Sequence, residues 1–130
     1  MITLLVDLNV EGHAVLLSGT LAAAGWLELL PLRFVRLVEM NLPYDSTDRV
    51  IWRFAQANQM YLLTDNRNME GDDSLEQTIR EENLATSLPV LTISRSDQMM
   101  NQSYREACAT RLLEVLLYPE RYFGVGRLFI

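Results

Sequence analysis

The chain has 130 residues, 49% of them hydrophobic and 22% charged, and a net charge of −6. All 11 cationic residues are arginine, which excludes a Walker P-loop and Schiff-base chemistry because both need lysine. One cysteine and one histidine exclude an internal disulfide and a Cys/His zinc site. The acidic balance argues against broad, salt-driven coating of nucleic acid, although a local site built from arginines stays open.

Short apolar runs alternate along the chain with longer helical patterns. In chain order, the sequence predicts a strand at 2–6, a helix at 11–25, a strand at 33–39, a helix at 47–58, a strand at 60–64, a helix at 73–83, a strand at 89–93 and a helix at 103–117. Residues 27–32 either extend the first helix or form a connector. The tail, residues 122–130, either adds an edge strand or meets another subunit.

Local signals indicate where the helices begin and end. Gly25 ends the first helix, and the apolar positions of that helix cover most of its circumference, so we expect it to be well buried. Ser46 or Thr47 is the expected cap of the second helix. The last two helices are expected to open with the capping-box patterns Asp73-x-x-Glu76 and Ser103-x-x-Glu106.

The regular alternation of strands and helices is typical of a parallel sheet with helices on both faces. We therefore expect one domain over residues 1–130, a three-layer α/β/α fold with a mainly parallel sheet of four to five strands. An aspartate, Asp7, ends the apolar run at the start of the chain, and no uncharged stretch reaches the roughly 18 residues of a membrane span. We expect a cytoplasmic protein with no membrane contact.

Acidic residues follow the predicted strands at the edge where open parallel sheets bind ligands. Asp7 follows the first strand, Asp65 follows the third, and Asp97 lies a few residues past the fourth. Four further aspartates stand near the starts of helices: Asp45, Asp48, Asp72 and Asp73. Helix capping explains these four better than function does, because a carboxylate satisfies the free N–H groups of a first turn. Asp7 and Asp65 abut buried strands and are the better candidates for a site.

Converging carboxylates raise each other's pKa, and a divalent cation relieves that cost. Oxygen ligands suit Mg²⁺ or Mn²⁺, which activate water and bridge to phosphate. Arg67 and Arg95 lie in the loops that carry Asp65 and Asp97, and they are candidates for holding phosphate oxygens. The residues therefore favour metal-dependent phosphodiester hydrolysis.

Two segments resemble the PIN-like domains, which include the toxin nucleases of bacterial toxin–antitoxin pairs. The first is Leu5-Val6-Asp7-Leu8-Asn9-Val10 followed by the helix that ends at Gly25. The second runs from Ser46 to Met69, where an acidic residue opens a helix and an apolar strand then runs into Thr64-Asp65-Asn66-Arg67-Asn68. The family usually has Thr, any residue, then Asp at this strand end, so the acidic motif is degenerate here, with amides at two expected carboxylate positions.

The resemblance implies an α/β/α fold and Mg²⁺- or Mn²⁺-dependent cleavage of RNA. It matches Asp7 to the first acidic position of the family and Asp48 to the helix-opening one. By this reading Asp7 and Asp65 hold the metal, and Asp48 completes the shell or orients water. The resemblance also implies a homo-oligomer and an antitoxin-like protein partner.

Three hypotheses follow from these residues. The first is a PIN-like ribonuclease that acts through Asp7, Asp48 and Asp65. The second is a catalytically weak or inactive PIN-like module for protein interaction or regulation, in which the segment Asp65-Asn66-Arg67-Asn68 recognises a ligand by hydrogen bonding. The third is another α/β enzyme or small-ligand binder that uses the same edge of the sheet.

Overall fold

A computed structural model describes residues 1–67 and 70–130 of the chain. The strands it describes are β1 (Ile2–Val6), β2 (Leu32–Arg36), β3 (Tyr61–Thr64), β4 (Val90–Thr92) and β5 (Arg127–Phe129). The α-helices are α1 (Glu11–Ala23), α2 (Trp26–Leu29), α3 (Asp48–Ala57), α4 (Leu75–Glu82) and α5 (Gln102–Leu117). Single 3₁₀ turns lie at Leu8–Val10, Leu37–Met40, Ser96–Gln98 and Pro119–Arg121.

The five strands form one sheet in the order β2-β1-β3-β4-β5, and every neighbouring pair is parallel. Helices cover both faces, which confirms the expected three-layer α/β/α fold. The tail forms β5 at one edge of the sheet, so the edge-strand alternative for residues 122–130 is confirmed.

Two apolar clusters lie on the two faces of the sheet. On one face, α1 and α5 pack over alternate strand residues such as Leu4, Leu63 and Leu91. On the other face, α3 and α4 pack over Leu5 and Leu62. The connections through α3, α4 and α5 lead to β3, β4 and β5, and all three move across the sheet in the same direction. The connection through α5 passes over the opposite face of the sheet from the other two. Its hand is therefore opposite to theirs, a rare arrangement for parallel strands.

The second strand and the first helix differ from the prediction. The second strand ends at Arg36 rather than at residue 39, because a 3₁₀ turn follows in which the Glu39 carboxylate accepts the Arg36 backbone N–H at 3.2 Å. Helix α1 ends at Ala23 and is not buried all round. Its neighbours are the sheet and α5, so Val15 on its outer side is 71% exposed.

Two predicted caps were also wrong. Ser74, and not Asp73, caps α4, because its Oγ accepts the N–H of Gln77 at 3.1 Å. Asn101, and not Ser103, caps α5 through the N–H of Tyr104. The cap of α3 is Thr47, one of its two expected caps. Within the described ranges, no helix is long and apolar enough to cross a membrane.

Candidate functional site

The strand order creates a switch point between β1 and β3. The chain steps from β1 to β2 in one direction, and then passes back over β1 to reach β3 on the other side. In open parallel sheets, the connections leave a crevice beyond the carboxyl ends of the two strands at such a point, and ligands bind there. Asp7 directly follows β1 and Asp65 directly follows β3. Both candidate residues therefore flank the place where this topology favours a site.

Asp7 is fixed by hydrogen bonds on both of its carboxylate oxygens. Its backbone N–H continues the sheet ladder to the Leu63 carbonyl at 2.9 Å. Oδ2 accepts the hydroxyl of Thr64 at 2.8 Å, and Oδ1 accepts the N–H of Leu8 at 2.9 Å, where it caps the following 3₁₀ turn. The carboxylate is thus held at the carboxyl edge of the sheet in a defined orientation.

Burial raises the pKa of Asp7 above its ordinary value of 3.8. The hydrogen bonds from Thr64 and Leu8 lower the pKa in part, and the charges of Asp48 and Asp65 raise it further. Asp48 and Asp65 therefore both lie close enough for their charges to act on Asp7. A cation among them would lower the cost of ionising Asp7.

Asp48 reaches this edge from the start of α3. Because the Thr47 side chain caps α3, the Asp48 carboxylate is available for contacts outside its own helix. Its Oδ2 accepts the side-chain amide of Asn66 at 2.9 Å and the backbone N–H of Leu75, the first residue of α4, at 3.2 Å. Asp48 therefore faces the site, whereas Asp45 is exposed in the turn before the helix.

None of the four aspartates expected as caps is the N-cap of its own helix. Asp48 satisfies a free N–H group of the neighbouring helix α4 instead. Asp73 pairs with Arg49 of α3 at 3.0 Å, and Asp72 offers its backbone carbonyl to the same guanidinium. The prediction that each would cap its own helix was wrong: Asp48, Asp72 and Asp73 join α3 to the start of α4, and Asp45 is exposed in the turn before α3.

The Thr64 hydroxyl connects two of the candidate residues. It accepts the backbone N–H of Asn66 at 3.0 Å while it donates to Asp7. Since Asn66 also donates to Asp48, one continuous chain of hydrogen bonds runs from Asp7 through Thr64 and Asn66 to Asp48. The side chain of Thr64 is buried, so this chain is shielded from water on the side of the sheet.

The sequence analysis missed Arg127, whose buried side chain binds the loop that follows β3. Its Nη1 donates to the Asn66 carbonyl and to the Thr92 hydroxyl, both at 2.7 Å, and its Nε pairs with Glu76 at 2.9 Å. The side chain is only 8% exposed, and its Nη2 is buried without a hydrogen-bond partner among the described residues. An arginine inside the apolar tail Arg-Leu-Phe-Ile was the available signal.

The predicted phosphate-binding residues lie at the far side of the same edge. Arg67 is exposed, donates to the Ser94 carbonyl, and has its guanidinium 5.1 Å from the centre of the Phe129 ring. Arg95 is exposed and pairs with Asp97 at 3.6 Å. Asn68 lies outside the described residues.

The carboxylate and amide oxygens of this edge are ligand types that suit a hard cation, but they do not form a complete metal-binding site in this structure. Within residues 1–67 and 70–130, no group of three or more His, Cys, Asp or Glu side chains is placed to hold a metal ion. The side-chain amide of Asn66 contacts Oδ2 of the Asp48 carboxylate. A metal site formed by Asp7, Asp48 and Asp65 would therefore require these side chains to rearrange.

Comparison of the chain with protein-family models, with curated proteins and with solved structures found no match in any of the three.

Proposed function

We propose that the protein is a metal-dependent ribonuclease of PIN-like type that hydrolyses phosphodiester bonds at the carboxyl edge of its sheet. The observation that carries the proposal is the Asp7 carboxylate at the switch point, which Thr64 and Leu8 hold by hydrogen bonds and which Thr64 and Asn66 connect to Asp48. Burial also raises the pKa of Asp7. The charges of Asp48 and Asp65 add to the cost of ionising the buried Asp7, and a bound cation would offset that cost.

Each residue has a role in this proposal. Asp7 and Asp65 hold Mg²⁺ or Mn²⁺, and Asp48 completes the shell or orients the attacking water. When bound, the ion supplies activation of that water and neutralises charge on the phosphate. Arg67 and Arg95 bind phosphate oxygens farther along the same edge of the sheet, and Asn66 positions Asp48 through its amide. We place this activity in the cytoplasm.

Cleavage of a single-stranded RNA in the presence of Mn²⁺ tests the proposal. We expect the wild-type protein to cleave it and chelation of the metal to stop the reaction. Asp7→Asn and Asp65→Asn should each slow cleavage at least about 100-fold, since even supporting residues of metal sites cost up to that factor. The matched control is Asp45→Asn, which removes an exposed carboxylate of the same type outside the site. No cleavage by the wild type, or equal cleavage by Asp7→Asn, would overturn the proposal.

A second candidate function is a catalytically weak or inactive module that binds a protein partner or a second copy of itself. The hydrogen bond from the Asn66 amide to Asp48 favours it, because an uncharged amide engages an oxygen of the carboxylate that a cation would use. This alternative predicts a stable oligomer, or a complex with an antitoxin-like protein. Light scattering on the purified chain tests the oligomer, and Asp7→Asn should leave the measured mass unchanged. A monomer at every concentration would contradict self-association.

A further inference from the structure

A row of side chains crosses the sheet from Asp7 to its far edge. Thr64 pairs with Thr92, and Thr92 pairs with Phe129, in the register of the parallel strands. Asp7 extends the same row, because its N–H continues the ladder beyond Val6 and its carboxylate meets Thr64. Partners in register point to the same face of a sheet, so the row has an acidic end at Asp7 and an aromatic end at Phe129.

The row has a length that suits a short stretch of single-stranded nucleic acid. Neighbouring strands lie about 4.8 Å apart, so Phe129 on β5 is about 14 Å from Asp7 and about 10 Å from the end of β3. An extended single-stranded nucleic acid with one phosphate at the carboxylates would therefore reach Phe129 with a base that lies a few nucleotides from that phosphate.

Phe129 presents an aromatic surface to solvent at this end of the row. Its side chain is 52% exposed, and β5 is the last strand of the described sheet. The guanidinium of Arg67 lies over the ring, and a hydrogen bond to the Ser94 carbonyl holds it there. An arginine beside an aromatic ring offers a second planar group, and bases stack on both kinds of side chain in RNA-binding proteins.

The charges around Phe129 differ from those of the chain as a whole. Arg67 and Arg95 are exposed in the loops that follow β3 and β4, in a protein whose net charge is −6. The ion pair of Arg95 with Asp97 joins two exposed side chains at 3.6 Å, and such pairs exchange readily with other anions. Exposed arginines beside an exposed aromatic ring are the combination that binds single-stranded nucleic acid.

We propose that Phe129 and Arg67 form a stacking site for an unpaired base of single-stranded RNA, with Arg95 binding a neighbouring phosphate. The inference rests on the proposed function for the substrate at the carboxylates, and it adds the requirement that the RNA be unpaired downstream or upstream of the cleaved bond. Double-stranded RNA of the same sequence should bind more weakly, because its bases are not free to stack.

The test is fluorescence anisotropy of a labelled single-stranded RNA of about ten nucleotides, with EDTA present to prevent cleavage. Phe129→Leu removes the ring and keeps an apolar side chain, and we expect it to raise Kd at least about fivefold. The matched control is Phe123→Leu, a ring of similar exposure before the amino end of β5, which should leave Kd unchanged. Equal affinity of Phe129→Leu and wild type would overturn the stacking site, as would a wild type that binds no RNA.

A second variant keeps the test decisive if Phe129→Leu fails to fold. Phe129→Trp preserves a stacking surface, and a stacked base should quench the fluorescence of the new indole as RNA is added. Fluorescence that is unchanged at saturating RNA would overturn the proposal.

The outcomes also separate the stacking site from the nuclease. Metal-dependent cleavage with unchanged affinity in Phe129→Leu keeps the nuclease and rejects the stacking site. RNA binding that Phe129→Leu weakens, in a protein that cleaves no RNA with Mn²⁺, keeps the stacking site and rejects the nuclease.

Discussion

The hydroxyl of Thr64 donates a hydrogen bond of 2.8 Å to Oδ2 of Asp7, and so joins the carboxyl ends of two adjacent strands across the switch point. The same hydroxyl accepts the backbone N–H of Asn66. It therefore sets the orientation of the Asp7 carboxylate and the path of the loop that carries Asn66. Of the contacts at this site, this one ties the sheet to the candidate residues most directly.

Thr64→Val tests that connection, since valine has nearly the same shape and lacks the hydroxyl. The Asp7 carboxylate and the Asn66 N–H each lose a partner, so we expect the free energy of unfolding to fall by about 1–3 kcal/mol. The pKa of Asp7 should rise further, because the hydrogen bond from Thr64 lowers it in the wild type. Denaturant unfolding measures the first effect and a carboxyl NMR titration measures the second.

Thr110→Val is the matched control for this substitution. Thr110 is exposed on α5, and its hydroxyl donates to the Glu106 carbonyl of its own helix. Its loss should change the free energy of unfolding by no more than about 0.5 kcal/mol. An unchanged Asp7 pKa in Thr64→Val would show that the hydroxyl does not stabilise the ionised carboxylate.

Asp7→Asn should make the metal-free protein more stable at neutral pH. Burial, with the charges of Asp48 and Asp65, raises the pKa of Asp7 in the folded state above 3.8, so ionising Asp7 opposes folding. The cost is present in full above the folded pKa, and it disappears below pH 3.8, where Asp7 is protonated in both states. Thermal unfolding as a function of pH measures it. We expect a higher Tm for the variant at neutral pH and a shrinking difference as the solution is acidified; a lower Tm at neutral pH would contradict the account.

Arg127→Met tests the support beneath the site. The substitution leaves Glu76, the Asn66 carbonyl and the Thr92 hydroxyl without their partner, and we expect a loss of about 3 kcal/mol in the free energy of unfolding. Arg53→Met, which removes an exposed arginine paired with Glu82, is the control and should leave the unfolding midpoint nearly unchanged. Equal effects of the two substitutions would mean that the Arg127 contacts contribute little.

Asn66→Asp places a second carboxylate beside Asp48. Without metal, the hydrogen bond between the two side chains becomes a repulsion, and we expect a loss of roughly 2 kcal/mol in the free energy of unfolding. Because a further anionic oxygen strengthens a hard-cation site, Mn²⁺ should bind at least about tenfold more tightly than to wild type. Unfolding with and without Mn²⁺ measures both effects, and an affinity no higher than that of wild type would contradict a cation site at this edge.

The layered fold and the positions of Asp7 and Asp65 are predictable from the sequence because they follow from local patterns. Short apolar runs that end in an aspartate indicate both a buried strand and the edge at which it ends. The switch point depends on the order of the strands in the sheet, and no local sequence pattern predicts that order. Its position between β1 and β3 became clear only from the pairing of the strands.

The roles of Arg127 and Asp73 were not predictable because their partners lie far away in the chain. Arg127 contacts residues 35, 51 and 61 positions away, which only the completed sheet brings together. Asp73 stands at a helix start and looks like a cap, but Arg49, 24 residues earlier, engages it and leaves the cap to Ser74. Similarly, the apolar pattern of α1 could not show that nothing in the described chain covers Val15.

Calorimetric titration with Mn²⁺ is the most direct test of whether Asp7 and Asp65 belong to one cation site. We expect the wild-type protein to bind Mn²⁺ at a single site, and Asp7→Asn and Asp65→Asn each to weaken that binding at least about tenfold. Asp45→Asn should bind as the wild type does, since its carboxylate is exposed outside the site. The absence of binding heat in the wild type, or an affinity that neither Asp7→Asn nor Asp65→Asn changes, would contradict the metal site and leave a protein-binding role for this edge of the sheet.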